Sequence, residues 1–254
     1  MKVLKTVITI ALLLPLLLSA EEIEIDPKLK LRLQKTVDQL IKDNDLKTKK
    51  AVRILPGFSK VEGGIEFGLG GGDFHPTPIS NLEALKGLPI TVLTMRHTRI
   101  KDLTPLKGMK LRFLDISYTP VKDLTPLKGM PIKELRFEDD GDVELDYKIL
   151  KNLPIEILDL TAKQVDLKQL KGMKLQTLKL RFCEITNLSS IKEMPELEVL
   201  DIRGAMILDL SSSKEMINDR KFRKINNNTD LEFLKEIKTL KKINRRSVSV
   251  FFGN

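Results

Sequence analysis

The chain has 254 residues, of which 44 are basic and 35 acidic, so its formal net charge at pH 7 is +9. The single cysteine excludes an intrachain disulfide. The two histidines lie near neither that cysteine nor any metal-ligand spacing, which argues against a nucleophilic or metal-dependent enzyme.

The first predicted element is an export signal. Two lysines precede an uncharged run from Thr6 to Ala20, and acidic Glu21 follows it. The run is shorter than the roughly 20 residues that a membrane-spanning helix needs, and it ends in small residues. The pattern predicts a signal peptide over 1–20 and export to the periplasm, the cell surface or the medium. An uncleaved N-terminal anchor is the alternative.

Residues 21–64 are predicted to form an N-terminal helical cap and a junction. An amphipathic helix is expected between Pro27 and Val52, because its apolar residues recur at helical spacing. These residues are Leu33, Val37, Leu40 and Ile41. The glycines within 56–72 are not followed by Lys-Ser or Lys-Thr, so a turn-rich connection is expected rather than a phosphate-binding loop.

A repeated segment dominates the rest of the chain. The nonapeptide Lys-Asp-Leu-Thr-Pro-Leu-Lys-Gly-Met occurs at 101–109 and, unchanged, at 122–130, an offset of 21 residues. Aligning the chain on it divides 89–216 into six units of 20 to 23 residues, preceded by an imperfect unit. Each unit opens with two apolar residues separated by one residue, which places both side chains on one face of a short strand. This period predicts leucine-rich repeats over 65–216.

The expected fold class is α/β: a leucine-rich-repeat solenoid with a parallel concave sheet, short helical or 3-10 turns on the convex side and an N-terminal helical cap. The prolines in the return segments limit each helix to a short turn. Residues 217–254 lose the period and are assigned to a degenerate last coil and a C-terminal cap. A helix from Asp230 to about Lys238 is expected there between two short strands.

The pattern Leu-x-x-Leu-x-Ile-x-x-Thr-x-Val-x-Asp-Leu-x-Pro-Leu at 111–127 resembles the repeats, about 21 to 22 residues long, of internalin-like exported bacterial proteins. The Pro-Leu-Lys-Gly-Met ending is similar to repeat cassettes of exported bacterial proteins, sometimes found behind serine/threonine kinase domains. The resemblance covers 65–216 and implies the fold and, weakly, a protein-binding role. No kinase lysine, catalytic loop or Asp-Phe-Gly is present in this sequence.

A protein partner is expected to bind through the concave sheet, and three columns of the repeat describe this face. The column between the inward residues alternates in charge and predicts a self-neutralising ladder of exposed ion pairs. It reads Thr94, Asp115, Arg136, Asp159, Lys179 and Asp201. The next two columns combine arginines with aromatic residues, which often anchor protein partners. The predicted recognition surface is therefore Arg96, His97, Tyr118, Arg181, Phe182 and Arg203, the alternative being ordinary surface residues.

A further column places lysine in the same slot of successive units, which predicts a basic stripe along the stack. Its members are Lys86, Lys107, Lys128, Lys151, Lys171, Lys192 and Lys214. With a C-terminal segment of net charge +6 over 214–254, the stripe suggests binding to an anionic envelope polymer or surface as the alternative function. A role in solubility alone is the other interpretation.

Two further features are interpreted as structural. Cys183 aligns with Thr98 and Thr119 after the strands and is expected to be a small buried residue rather than a nucleophile. Glu138, with the acidic cluster at 139–142, could hold calcium weakly, but a solvated turn is expected. We therefore expect a non-enzymatic monomer without cofactor, metal or catalytic residue, which binds a protein and no nucleic acid.

Overall fold

The computed structural model of the chain describes residues 25–44, 56–69, 77–138, 146–161, 164–208, 222–225 and 230–253. The predicted signal peptide over 1–20, Lys214 of the lysine column and the acidic cluster at 139–142 lie outside these residues.

The described chain consists of short strands alternating with 3-10 helices. The strands are β1 Gly57–Val61, β2 Gly64–Gly68, β3 Ile90–Thr94, β4 Phe113–Asp115, β5 Glu134–Arg136, β6 Ile157–Asp159, β7 Gln164–Asp166, β8 Thr177–Lys179, β9 Glu184–Thr186, β10 Val199–Asp201, β11 Met206–Leu208, β12 Phe222–Lys224, β13 Lys242–Ile243 and β14 Arg246–Ser247. The α-helices are α1 Pro27–Asp43 and α2 Val248–Phe252. The 3-10 helices are Glu83–Leu85, Thr104–Leu106, Thr125–Leu127, Tyr147–Asn152, Leu167–Leu170, Leu188–Glu193 and Glu232–Glu236.

Ten strands form one long sheet in the order β1-β2-β3-β4-β5-β6-β8-β10-β13-β14. All neighbours from β2 to β13 are parallel, whereas β1–β2 and β13–β14 are antiparallel pairs. The inward residues are register partners along the stack: Leu93, Leu114, Leu135, Leu158, Leu178, Leu200 and Ile243. The predicted leucine-rich-repeat solenoid, with its parallel sheet and short 3-10 turns, is confirmed.

Five of the described return segments begin with an aspartate or asparagine that accepts a backbone hydrogen bond from the residue two positions on. Thr104 N lies 2.8 Å from Asp102 Oδ1, and Thr125 N lies 2.8 Å from Asp123 Oδ1. The same bond is made by Asn81, Asp146 and Asp166. Such side chains form turns that substitute for a backbone turn, so this column determines where each 3-10 helix starts.

The Lys-Gly pair of the nonapeptide forms a type II β-turn. Lys107 has φ −53° and ψ 126°, Gly108 has φ 79°, and Met109 N donates to Leu106 O at 3.0 Å. These angles match the two central residues of a type II turn, whose second position favours glycine because φ is positive there. The lysine therefore occupies the outer corner of the coil.

A second sheet of four strands, in the order β12-β11-β9-β7, was not predicted. It lies in the later repeats, where β7, β9 and β11 are parallel and carry Val165, Ile185 and Ile207 at their centres. These β-branched residues favour extended backbone, but Ile100 and Val121 occupy the same column in earlier coils without forming a strand. In the repeat that contains β4, the residue aligned with Glu184 is Pro120, which has no N–H to donate to a strand ladder.

Helix α1 packs on the first coil, as expected of a cap, but it ends at Asp43 rather than near Val52. Its buried face contains Leu33, Val37 and Leu40. At its C-terminus Asn44 accepts a hydrogen bond from Ser80 N at 2.9 Å, which attaches the helix end to the first coil. Residues 45–55 lie outside the described chain.

Two other expectations need correction. Over 56–69 the expected turn-rich connection is a β-hairpin, and Arg112 Nη2 donates to Glu62 O at its tip at 2.6 Å. In the C-terminal segment the expected helix from Asp230 is a 3-10 helix over Glu232–Glu236, with Leu231 at the N-cap position. The local sequence signals revealed neither the hairpin nor the tighter helix.

Candidate binding surface

The six predicted recognition residues lie just beyond the C-terminal ends of their strands, on one edge of the long sheet. We call them the strand-edge surface: Arg96, His97, Tyr118, Arg181, Phe182 and Arg203. The chain turns there through a left-handed residue, with φ of 53° at His97, 55° at Tyr118, 60° at Phe182 and 69° at Gly204. After His97, Tyr118 and Phe182, the next residue of the repeat points into the coil, where its side chain donates a hydrogen bond to a backbone carbonyl.

The inner residue is Thr98 in one coil, whose Oγ1 donates to Met95 O at 2.9 Å, and Thr119 in the next, whose Oγ1 donates to Ile116 O at 2.7 Å. Cys183 occupies the same slot and is fully buried, with its Sγ 2.9 Å from Leu160 O. The structural interpretation of Cys183 as a small buried donor is thus confirmed.

The aromatic residues of the strand-edge surface pack along the stack. The rings of His97 and Tyr118 are parallel, with an interplanar angle of 3° and a centroid separation of 4.3 Å. The Arg96 guanidinium carbon lies 5.3 Å from the Tyr118 ring centroid. Phe182 is 64% exposed, and its ring lies so close to the backbone of the next coil that a Cβ on Gly204 would be 2.5 Å from it.

Buried aspartates hold the three arginines in place. The carboxylates of Asp115, Asp159 and Asp201, the last residues of β4, β6 and β10, are almost fully buried. Their arginine partners are half-buried: Arg96 with Asp115 at 3.6 Å, Arg181 with Asp159 at 3.4 Å and Arg203 with Asp201 at 2.6 Å. A buried carboxylate therefore fixes the position of each arginine's guanidinium group.

This arrangement corrects the predicted ladder of exposed, alternating ion pairs. The aspartates are buried, and Arg136 pairs with Glu134 at 2.7 Å rather than with an aspartate of its own column. Within that column the contact between Lys179 and Asp159, at 3.3 Å, does agree with the prediction. The aspartates of this column thus hold the arginines of the neighbouring column in position.

Glu138 connects the two halves of the strand-edge surface. Its carboxylate lies 3.4 Å from Arg96 and 3.5 Å from Arg181, and it accepts a hydrogen bond from the Tyr118 hydroxyl at 3.4 Å. The residues near 96–118 and those near 181–203, which the sequence places in separate repeats, therefore form one polar network. Glu138, taken from the sequence only as a possible calcium ligand, is its central residue.

One donor of this network remains unused. The Nε of Arg181 is buried and, within the part of the chain that the structure describes, has no hydrogen-bond partner. A buried donor without an acceptor costs roughly 1–3 kcal/mol.

A row of apolar residues was missed by the sequence analysis. Val92, Phe113, Ile157 and Val199 point away from the core, are half-buried and lie one position before the inward leucine of their strands. Val92 and Phe113 are register partners, and the Arg136 guanidinium carbon lies 4.9 Å from the Phe113 ring centroid. The signal was visible in the repeat alignment as an apolar residue at an outward position.

The titration of Asp201 reflects its partners. Burial tends to raise the pKa of this carboxyl, but hydrogen bonds from the side chain and backbone of Arg203, with the positive charges of Arg203 and Arg181, hold its pKa below the ordinary value. The same contact raises the pKa of Arg203, chiefly through its hydrogen bond to Asp201.

We expect the stabilisation contributed by Asp201 to depend on pH. Because its pKa is lower in the folded state, the contribution is present above the unfolded value of about 4 and is lost as the pH falls through the folded value. Asp201→Asn removes this contribution, so the difference in free energy of unfolding between wild type and variant should shrink between about pH 7 and pH 3 in urea titrations. Equal differences at both pH values would contradict the assignment, and Arg203→Gln should behave like the asparagine variant.

The described residues also bear on metal binding and on membrane insertion. No group of three or more histidine, cysteine, aspartate or glutamate side chains is placed to hold a metal ion in those segments. No helix found there is both long and apolar enough to cross a membrane.

No protein-family model matches this chain, and no curated protein does. Two solved internalin structures from Listeria monocytogenes are similar to it. The internalin inlF is 19% identical, with a TM-score of 0.43, over 67% of this chain and 52% of its own length. Internalin C2 is 20% identical, with a TM-score of 0.45, over 75% of this chain and 92% of its own. This chain thus spans about half of inlF, and such likeness concerns the fold alone.

Proposed function

We propose that this protein is an exported, monomeric, non-enzymatic scaffold that binds a protein partner through the strand-edge surface. The observation that carries the proposal is the backbone strain of His97, Tyr118 and Phe182. A bulky residue with positive φ costs roughly 1–3 kcal/mol, and strain of this kind is concentrated at functional sites. Gly204, in the same slot, shows that the turn accepts the unstrained residue.

The arginines support the same proposal. Side chains that are already held in place lose little conformational entropy on binding, and aromatic residues beside arginine are the commonest anchors of protein interfaces. Phe182 supplies the exposed aromatic surface, and Arg181 supplies a guanidinium that Asp159 and Glu138 hold in place. The outward apolar residues add area on the outer face of the sheet, with Val92 and Phe113 as direct neighbours and with Glu134 and Thr177 between the others.

Export is part of the proposal and rests on the sequence of residues 1–24. A charged start, an apolar run and small residues before Glu21 are the features of a cleaved secretory signal. A partner on the strand-edge surface would accordingly be sought in the cell envelope or outside the cell. Capture of the partner from envelope extract or from the medium would show which of the two contains it.

The variant Tyr118→Asn/Phe182→Asn is designed to remove binding without removing the fold. Asparagine accepts a left-handed backbone more readily than an aromatic residue, so the melting temperature should stay close to that of wild type. Recovery of the native partner, captured from extract of the producing cells' envelope, should fall at least about tenfold, because hot-spot aromatics each contribute about 2 kcal/mol or more. Arg181→Gln should reduce recovery in the same assay.

Leu31→Asn/Val250→Asn is the matched control. These two side chains are 57% and 60% exposed, and they lie on α1 and α2 rather than on the strand-edge surface. The control should capture as much partner as wild type. Full recovery with the Tyr118/Phe182 variant, or equal losses with both variants, would refute the proposed surface.

A further inference from the structure

The lysine column differs along the stack in a way that the sequence does not reveal. Lys86, Lys107 and Lys128 each occupy the outer corner of a Lys-Gly type II turn, with nearly identical φ and ψ of −53 to −56° and 126 to 128°. Their coils follow β2, β3 and β4, which are consecutive neighbours in the long sheet. We call these three residues the lysine row. Neighbouring coils are about 4.8 Å apart, so the row offers one cation per coil at a regular spacing.

The lysine row is open to solvent and electrostatically uncompensated. All three side chains are exposed, and within the described residues none of them forms an ion pair. Each lysine is followed by a glycine, and a Cβ added at Gly108 or Gly129 would meet no atom within 4 Å. An anion can therefore approach each ammonium group without displacing a side chain or an existing partner.

The remaining lysines of the column are less available. Lys171 occupies the same type of turn, but its Nζ lies 2.5 Å from Glu193, and Lys192 Nζ lies 2.9 Å from Glu236. Lys151 is followed by Asn152, and both belong to a 3-10 helix instead of a Lys-Gly turn. The structure thus distinguishes an unpaired row of Lys-Gly turns in the early coils from the later coils, where Lys171 and Lys192 are ion-paired and Lys151 lies outside such a turn.

Helix α1 adds a fourth cation to the row. The exposed Arg32 donates from Nη2 to Gly87 O at 3.1 Å, which places its guanidinium beside the turn of Lys86. Arginine and lysine then follow one another along the stacking direction, from the cap to the coil of Lys128. None of these four cations forms an ion pair with another described residue, and together they make a surface that is longer than it is wide.

We propose that the lysine row, together with Arg32, binds a linear polymer of phosphate groups that runs along the stack. The regular spacing allows successive anionic groups of one chain to engage successive coils, and release of counterions from such a polymer favours the complex. This site is separate from the strand-edge surface and does not depend on a protein partner there.

A planar anionic lipid surface fits the same side of the molecule less well. The return segments also carry Asp102 and Asp123, at the other end of their 3-10 helices from Lys107 and Lys128. The hydroxyl and backbone N–H of Thr104 lower the pKa of Asp102, and those of Thr125 lower the pKa of Asp123, so both stay ionised. A broad negative surface would meet these carboxylates, whereas a single chain follows the cations.

The test compares wild type with Lys86→Gln/Lys107→Gln/Lys128→Gln by titration with fluorescently labelled long-chain inorganic polyphosphate. The triple variant should bind at least about tenfold more weakly. The slope of log K against log salt concentration should become shallower by about 2, since each lost contact with a flexible polyanion contributes roughly 0.7. Because the substituted side chains are exposed, the melting temperature should not change.

The matched control, Lys101→Gln/Lys122→Gln/Lys168→Gln, removes the same charge from exposed lysines near the other ends of the 3-10 helices, which likewise form no ion pair within the described residues. It should retain most of the affinity. An equal loss in both triple variants would show that only net charge matters and would overturn the proposal. Equal affinity for orthophosphate and long-chain polyphosphate would also overturn it. The same holds if phosphatidylglycerol vesicles bind as tightly as polyphosphate and lose this binding in the triple variant of the lysine row.

A gain of affinity provides an independent check. Glu193→Gln releases Lys171 and should strengthen polyphosphate binding, because it adds an unpaired Lys-Gly turn two coils beyond Lys128. Glu196→Gln adds the same charge and releases Lys174, whose Nζ lies 3.7 Å from Glu196 and which is outside the Lys-Gly turn. Equal gains in the two variants would count against an ordered row, and a larger gain with Glu193→Gln would support it.

Discussion

Leu178→Ala is expected to lower the free energy of unfolding by about 2–5 kcal/mol, measured by urea denaturation followed by circular dichroism. Leu178 is fully buried at the centre of β8, where its register partners are Leu158 in β6 and Leu200 in β10. Truncation removes apolar contacts with both neighbours and leaves a cavity that parallel strands, hydrogen-bonded on both sides, cannot close.

The stacked architecture makes a further test of this prediction possible. In a solenoid each repeat contacts mainly its neighbours. The losses of unfolding free energy caused by Leu178→Ala and Leu93→Ala should therefore be additive, whereas those caused by Leu178→Ala and Leu158→Ala should not. Leu31→Ala, on the exposed side of α1, should change stability by less than about 0.5 kcal/mol. A loss below about 1 kcal/mol for Leu178→Ala would show that the stack closes around the missing side chain.

Asp159→Ala should be the most damaging substitution of a polar residue in the candidate surface, at about 1–3 kcal/mol. Asp159 is 2% exposed and accepts a hydrogen bond from Thr161 Oγ1 at 2.5 Å. Its removal also leaves Lys179 and Arg181 without their shared carboxylate. The loss remains below that of a fully buried ion pair because both cations are partly exposed and Arg181 keeps its contact with Glu138.

Asp159→Asn is the control for charge, because it retains an oxygen acceptor for Thr161. It should be less destabilising than Asp159→Ala in urea titrations. In a cycle that combines Asp159→Asn with Arg181→Met, the two effects should not be additive, since the residues are in contact. Additive effects, or a stability of Asp159→Ala equal to that of wild type, would contradict the role of Asp159 as an anchor for Arg181.

The candidate surface was only partly accessible from the sequence. Repeat alignment placed arginines and aromatics on one edge because position in a repeat determines the direction of a side chain. It did not reveal that Glu138 joins Arg96 to Arg181, since such contacts depend on distances between side chains of separate coils. It also missed the strain at Tyr118, because left-handed backbone is imposed there by the turn and is not preferred by tyrosine.

Repetition is the part of this protein that the sequence by itself determined. Inward leucines, Asx turns and Lys-Gly turns are local rules that recur with the period, so one copy such as 101–109 describes its equivalents. The tertiary structure alone decided which coils form a second sheet and which lysines remain unpaired. Lys107 and Lys171 have the same local sequence and turn, yet Glu193 neutralises only Lys171. The physical reason is that ion pairing depends on what the next coil places nearby, whereas the shape of each turn depends on its own residues.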